Sequence, residues 1–156
     1  MSDPGTLLAE LFAQEERLVL DHLDEALAWE LGSALRAAAL AGSLPVAVSV
    51  RRNGQRLFHA ALPGASADND GWLERKSAVV DRYGHSSLLV GEQFRMGGST
   101  FEQSSRLDPA RFAAHGGAFP LRVRRSGCVG TVAVSGLPQR EDHDLVVRVL
   151  GEVLGR

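Results

Sequence analysis

The only lysine of the chain, Lys76, is the first residue whose type and position suggest chemistry. It follows Arg75 and lies one helical turn after Trp72. A lysine removed from water can anchor a carboxylate, and a lowered pKa would allow it to act as a base. In the alternative, Lys76 extends along the surface with its ammonium in water. Arg75 then pairs with Glu74 or Asp81, and both interpretations stay open.

Two segments that contain histidine are the next candidates. His115 stands before Gly116 and Gly117 at the entrance to an apolar strand, so its imidazole can project past bare backbone and bind a ligand or move a proton. A loop histidine without a role is the alternative. His85 and Ser86 lie at a predicted helix start, where they either hold an anion or cap the helix in the ordinary way.

A third histidine, His143, lies between Asp142 and Asp144 in the first turns of the last predicted helix. The two carboxylates either orient the imidazole or only stabilise the helix dipole, by about 0.3–1 kcal/mol each. Ser135 follows a strand but is not in a G-x-S-x-G nucleophile motif, because Ala133 takes the place of the first glycine. No dinucleotide-binding, P-loop or histidine-pair motif occurs, so we expect no metal site.

The composition is that of an ordinary globular protein of 156 residues, with 44% hydrophobic and 23% charged residues. A net charge of −2 gives no reason to expect nucleic acid or an anionic membrane as a partner. The most apolar segment, residues 26–41, is interrupted by Glu30 and Arg36 and is not expected to span a bilayer. Because the N-terminus does not have the pattern of a secretion signal, we expect a cytoplasmic protein.

The elements that must position these residues follow from the spacing of apolar side chains. In the first half, helical spacing predicts helices over residues 4–20 and 21–41. The Asn53-Gly54 pair is a strong hairpin signal and predicts strands over residues 45–50 and 55–62. In the second half, Asp68 or Asn69 is expected to cap a helix that runs to about Tyr83, with a short continuation after Gly84. The remaining predicted elements are a helical turn after Asp108, a hairpin of strands Ala118–Val123 and Cys128–Val134, and a last helix over residues 138–154.

The second hairpin organises the predicted fold. Its strand from Cys128 to Val134 is too continuously apolar to face solvent, so we place this hairpin at the centre of the sheet, with that strand buried on both faces. Cys128 is expected to be a small buried hydrophobic residue. The fold class is α+β: an antiparallel sheet of four to five strands with helices packed on it, in the order α-α-β-β-α-β-β-α. We expect a single domain over residues 1–156.

Three segments carry a resemblance to a known superfamily: NDGWLERKSAVVDRYGHSS (residues 69–87), AAHGGAFPLRV (residues 113–123) and TVAVSGLPQREDH (residues 131–143). With these segments, residues 20–154 resemble the HbpS/GlcG-like superfamily, labelled the haem-degrading domain, and most closely an uncharacterised bacterial and fungal family within it. The resemblance implies a profilin-like architecture and assembly into dimers or larger rings. Some members bind haem and promote its breakdown, whereas others serve glycolate or diol metabolism.

The resemblance therefore implies a homo-oligomeric protein that binds a small ligand, either haem or a small anion, in a pocket between the third helix and the ends of the central hairpin. His115 is the candidate ligand of a haem iron, and no catalytic residue is assigned. One alternative is a non-catalytic assembly or adaptor protein that uses the helix over residues 1–20 for subunit contacts. Another is an enzyme for a small carboxylate, with Lys76 or a histidine as base. The candidate ligand-binding residues are Trp72, Arg75, Lys76, His85, Ser86, His115, Gly116, Gly117, Phe119, Ser135 and His143.

Overall fold

The computed structural model describes residues 3–156, and this range contains six helices and four strands. In chain order they are α1 (Pro4–Arg17), α2 (Glu25–Ala41), β1 (Ala47–Arg52), β2 (Gln55–Ala61), α3 (Ala67–Tyr83), α4 (Ser87–Met96), α5 (Phe101–Ser105), β3 (Ala118–Val123), β4 (Gly127–Ser135) and α6 (Gln139–Leu154). The α+β class, the antiparallel sheet and the approximate order of elements are confirmed. α4 is longer than the predicted continuation of α3, and α5 occupies a segment where the sequence pattern was weak.

The four strands form one antiparallel sheet in the order β2-β1-β4-β3. β4 is central and is buried from Gly130 to Ser135, as predicted. The prediction that the whole hairpin is central was wrong, because β3 is an edge strand. Pro120 within β3 has no N–H for a further strand. Instead, the end of β3 meets Leu20, which donates to the Arg122 carbonyl and accepts from the Arg124 N–H, both at 2.8 Å.

The two hairpin turns of the sheet differ in how well the sequence predicted them. Asn53 and Gly54 have φ values of 48° and 82°, and positive values at both positions are what the predicted type I′ turn requires. The prediction that Cys128 is buried was wrong, since it is exposed near the tip of the β3–β4 hairpin. Residues 124–128 are all exposed, so only the part of β4 that lies between the helices is buried on both faces.

The two faces of the sheet carry side chains of different size, because successive residues of a strand point to opposite faces. One face, called here the apolar face, packs against α2 and α6 and carries Val48, Val50, Phe119, Val132 and Val134. The other, called the small-residue face, lies under α3 and carries Ala47, Ser49, Ala118, Thr131 and Ala133. Small side chains let α3 approach the backbone of the sheet closely, and this close approach positions Lys76.

The first helix packs on α4 rather than on the sheet. Leu11 of α1 forms a small apolar cluster with Leu88 and Leu89 of α4. Of the two N-terminal helices, α2 is therefore the one that covers the sheet, and the use of α1 for contacts between subunits stays a prediction. Within residues 3–156, none of the helices is both long enough and apolar enough to cross a bilayer.

Candidate functional site

A pocket of about 240 Å³ opens at the edge of the small-residue face, where β4 ends. Its walls come from the first half of α3, the segment before β3, the end of β4 and the first turn of α6. Among the residues that the sequence singled out, five line this pocket, called here the Lys76 pocket: Trp72, Lys76, His115, Gly116 and Ser135. The fold thus brings a part of the predicted set together.

Lys76 lies at the bottom of the pocket and is only 2% exposed. Its Nζ donates to the Gly116 carbonyl at 3.0 Å, to the Val134 carbonyl at 2.7 Å and to Oδ2 of Asp142 at 3.3 Å. An ammonium has three protons, so every donor is used within the protein. The side chain does not extend along the surface, and it has no free proton with which to anchor a ligand. Lys76 instead joins α3 to both ends of the β3–β4 hairpin and to α6.

Asp142 is the buried partner of Lys76. Its Oδ1 accepts from the Leu137 N–H at 3.0 Å and its Oδ2 from the Gly136 N–H at 3.3 Å. The carboxylate therefore occupies the backbone donors just before α6, where an external anion would otherwise bind. Burial raises the pKa of Asp142 while Lys76 opposes the rise, and burial lowers the pKa of Lys76 while Asp142 opposes the fall. The pair is best described as a structural ion pair whose charges stabilise each other.

The two glycines before β3 make room for this arrangement. Gly117 has a φ of 135°, and a Cβ there would come within 2.4 Å of both Lys76 Nζ and the Val134 carbonyl. At Gly116 a Cβ would lie 2.4 Å from the Gln139 carbonyl. The absence of side chains thus permits close approach of other parts of this chain.

His115 lies at the mouth of the pocket and is exposed. Its ring meets Trp72 edge-on, with centroids 5.2 Å apart. Partial burial and the positive charges of Lys76 and Arg95 lower the pKa of His115, while Glu102 opposes the shift. A histidine with a lowered pKa is neutral at pH 7 and has a free ring nitrogen.

A hydrogen bond or an ion pair to a polar side chain distinguishes the other four histidines from His115, although the His22–Asp24 contact, at 3.6 Å, is an ion pair only. Each of the others contacts a polar partner: His22 with Asp24, His59 with Asp70, His85 with Glu15, and His143 with Gln14. Within residues 3–156 we find no such partner for His115. Arg75, next to it in space, stacks its guanidinium 4.1 Å from the centroid of the Trp72 ring. It lies behind Trp72 rather than in the pocket.

His85 and Ser86 do not reach the pocket, because they belong to a polar cluster around the buried Glu15 of α1. His85 Nδ1 lies 2.7 Å from Glu15 Oε1, and the Ser86 N–H donates to Oε2 at 3.1 Å. Arg122 also donates to Glu15, at 2.9 Å. The Ser86 hydroxyl accepts from the Leu89 N–H at 3.2 Å and caps α4, so the capping interpretation describes its geometry. This cluster ties α1 to the α3–α4 turn.

His143 and Phe119 point to the apolar side of the molecule and are 1% exposed. Their rings are 6.0 Å apart, and His143 Nε2 lies 2.7 Å from Oε1 of Gln14 in α1. Burial lowers the pKa of His143 to about 4. Neither side chain lines the Lys76 pocket, so the prediction of one shared hollow for all the candidate histidines was wrong.

Three polar residues that line the pocket were not among the candidate ligand-binding residues: Asn69, Gln139 and Asp142. Asn69 forms a capping box with Ser66, and the spacing of these two residues was a usable signal. Gln139 Oε1 accepts from the Gly116 N–H at 2.9 Å, a contact between distant segments that no local pattern announces.

Comparison with known proteins places the chain in a family. A model of the family described as "Haem degrading protein HbpS-like" matches residues 23–150. A UPF0303 protein of Streptomyces avermitilis is 58% identical over 149 residues, which cover 96% of this chain and 91% of the relative. The crystal structure of the Ybr137w protein superimposes with a TM-score of 0.84 at 34% identity, covering 92% of this chain and 85% of that one.

The fold recurs in a more distant protein, whose crystal structure is described as a PduOC:heme complex. It has a TM-score of 0.69 and 19% identity, covering 83% of this chain and 93% of that one. This likeness concerns the fold alone. The family model matches most of the chain, and the Streptomyces avermitilis relative is matched over 91% of its own length, so the chain belongs to the HbpS-like family.

Proposed function

We propose that this chain binds a small ligand at the mouth of the Lys76 pocket, and that the ligand is haem, with His115 as the residue that binds its iron. One observation carries the proposal. His115 is exposed, has a lowered pKa and, within residues 3–156, forms neither a hydrogen bond nor an ion pair, whereas each of the other four histidines forms at least one of these. A neutral imidazole with a free nitrogen is the form that binds iron.

The groups around His115 fit the other parts of a haem. Trp72 offers an aromatic surface beside the imidazole. Arg75 stacks on Trp72, and Arg95 lines a small adjoining hollow together with His115. Guanidinium groups suit the carboxylates of the propionates. Bound haem would supply iron able to bind oxygen, and this chain would contribute the imidazole and the cations that orient the macrocycle.

The family supports the haem proposal, whereas the small volume of the pocket limits how much of a haem it can enclose. The family description and the haem complex of a protein with the same fold support it. The pocket of about 240 Å³ is smaller than the roughly 300–1,000 Å³ of typical ligand sites. It can enclose only part of a ligand as large as haem, so the imidazole and the cations must supply much of the binding.

A second candidate is a compact neutral polar ligand that lies wholly inside the pocket. The volume favours it, and Asn69, Ser135 and Gln139 direct polar groups to the same space. A small carboxylate is less suited, because Asp142 already occupies the backbone donors and the protons of Lys76 are used. For the same reason, Lys76 is a poor candidate for a catalytic base.

Haemin titration tests the proposal. We expect saturable binding with a shifted Soret band for the native protein, and loss of that shifted band in His115→Ala. His22→Ala is the matched control, since His22 is another exposed histidine and lies outside the pocket. An unshifted band, or a shifted band that survives in His115→Ala, would rule out iron binding by His115. An unshifted band together with a thermal shift by small neutral solutes, lost in Ser135→Val, would favour the second candidate.

Assembly into a homo-oligomer and a cytoplasmic location are part of the same proposal. Several large apolar side chains are exposed, and contacts between subunits would cover them. These residues are Phe12, Trp29, Leu40 and Met96. Light scattering of the purified protein measures the assembly.

A further inference from the structure

A second hollow, of about 390 Å³, lies behind Trp72, outside the Lys76 pocket. Arginines from three separate parts of the chain line it: Arg51 from β1, Arg75 from α3 and Arg111 from the segment before β3. We call it the arginine hollow. Convergence of three guanidinium groups from distant segments on one space is a feature that the fold creates, because no two of these residues are close in sequence.

Aromatic rings, rather than carboxylates, lie beside two of the three guanidinium groups: Arg75 stacks on one, and Arg111 lies near another. Arg75 lies 4.1 Å from the centroid of Trp72, and Arg111 lies 5.7 Å from that of Phe112. Within residues 3–156, neither of them forms a salt bridge. Stacking fixes the plane of a guanidinium and leaves its edge free to donate to an anion. Arg75 uses only its Nε inside the protein, for a bond of 3.3 Å to the Gly71 carbonyl.

The carboxylates of the arginine hollow are already engaged. Glu74 accepts from Arg51 at 3.3 Å and from Arg56 at 3.0 Å. Asp81 accepts from the Thr131 hydroxyl at 3.1 Å. Because Glu74 lies between two arginines, its negative charge is compensated. The positive charges of Arg75 and Arg111 then exceed the remaining negative charge of Asp81, so the hollow favours an anion.

We propose that the arginine hollow binds a phosphate group carried by a small metabolite. A carboxylate offers two acceptor oxygens in one plane, whereas a tetrahedral phosphate offers three oxygens that point in different directions. Phosphate can therefore accept from guanidinium groups that approach from several sides. This site shares Arg75 with the haem proposal but uses neither His115 nor the Lys76 pocket. Its test therefore depends on Arg111, which the haem proposal does not use.

Calorimetric titration with inorganic phosphate at low ionic strength tests the assignment. We expect saturable binding that weakens as sodium chloride is added, because the donors are close to the surface. Arg111→Gln should weaken phosphate binding by about tenfold, the effect of removing a charge-assisted hydrogen bond at an exposed site. Arg82→Gln is the matched control. Arg82 also lies near the Phe112 ring, at 5.9 Å, and carries the same charge, but it does not line the hollow.

Two further variants sharpen the result. Asp81→Asn keeps an oxygen that can accept from Thr131 and removes a negative charge from the hollow, so it should bind phosphate more tightly than the native protein. His115→Ala should bind phosphate as the native protein does. Equal weakening by Arg111→Gln and Arg82→Gln, absence of saturable binding, or binding of succinate as tight as that of phosphate would overturn the proposal.

Discussion

The two faces of the sheet differ in what holds a helix against them. On the apolar face, α2 and α6 pack on large side chains such as Val132, Val134 and Phe119. On the small-residue face, Ala133 and Ala118 leave the backbone accessible, and α3 is held there partly by a lysine. The first face gains free energy from buried apolar area, whereas the second depends also on a few polar bonds that must all be satisfied.

This difference explains why the candidate site lies on the small-residue side. A pocket can form only where large side chains do not fill the space, and the ends of β3 and β4 on this side carry Gly116, Gly117 and Ser135. The Lys76–Asp142 pair then supports the pocket from below. On this face, residues that hold the fold together therefore also line the candidate site.

The largest expected effect comes from a substitution that removes the ion pair on the small-residue face and keeps the side-chain volume nearly unchanged. Lys76→Met removes the ammonium and leaves the Asp142 carboxylate buried with one charge unpaired. We expect a loss of about 3–5 kcal/mol in the free energy of unfolding, measured by urea denaturation. Leu121→Met on the apolar face, also of conserved volume, should cost less than about 1.5 kcal/mol.

A double variant separates the unpaired charge from the lost bonds. In Lys76→Met/Asp142→Asn, the side-chain oxygen of the asparagine can still accept from the Leu137 N–H, but no buried charge remains. It should be more stable than Lys76→Met alone. If the single variant is as stable as the native protein, or if the double variant is the less stable of the two, the ion pair does not hold this face together.

The second largest effect concerns His143, a buried polar residue beside the apolar face. Burial lowers its pKa from 6.5 to about 4, with a small opposing effect of Asp144 and a reinforcing one of Arg140. In the unfolded chain His143 takes up a proton near pH 6.5, whereas in the folded chain it does so only near pH 4. The contribution of the neutral His143 to the free energy of unfolding is therefore fully present above pH 6.5 and is lost as the pH falls towards 4. The loss is of the order of 3 kcal/mol.

Carboxylates and other histidines also titrate in this range, so the test is a difference between two proteins. His143→Gln can still bond to Gln14 and cannot take up a proton. Its free energy of unfolding should fall less steeply than that of the native protein between pH 6.5 and 4. Parallel pH profiles of the two proteins would mean that His143 is protonated in the folded state.

The smallest effect tests the close approach of backbone to Lys76. Gly117→Ala places a methyl group at a φ of 135° and 2.4 Å from Lys76 Nζ. We expect a loss of about 2–3 kcal/mol from backbone strain and crowding, measured by thermal unfolding. Gly98→Ala is the control, because its φ of 86° is also positive but no atom lies within 4 Å of a Cβ. It should cost about 1 kcal/mol, and equal losses for both would show that crowding against Lys76 and the Val134 carbonyl has no effect.

Local patterns predicted the elements well, since each depends on neighbouring residues. The turn at Asn53-Gly54, the end of α3 at Gly84 and the burial of β4 all follow from the spacing and type of nearby side chains. The same patterns failed where a distant segment decides the outcome. β3 is an edge strand because, within residues 3–156, no further strand pairs with its outer side, and Cys128 is exposed because the helices do not extend over it.

The candidate site shows the same division. The sequence alone identified Lys76, His115 and the glycines as unusual, and its motifs indicated the family and the fold class. Only the tertiary structure decided that His115 and Lys76 share a pocket while His85 and His143 do not, and that the protons of Lys76 are used inside the protein. The physical reason is that a hydrogen-bond partner can lie 40 to 129 residues away in the chain, as Gly116 does for Lys76 and Gln14 for His143, so local spacing carries no record of it.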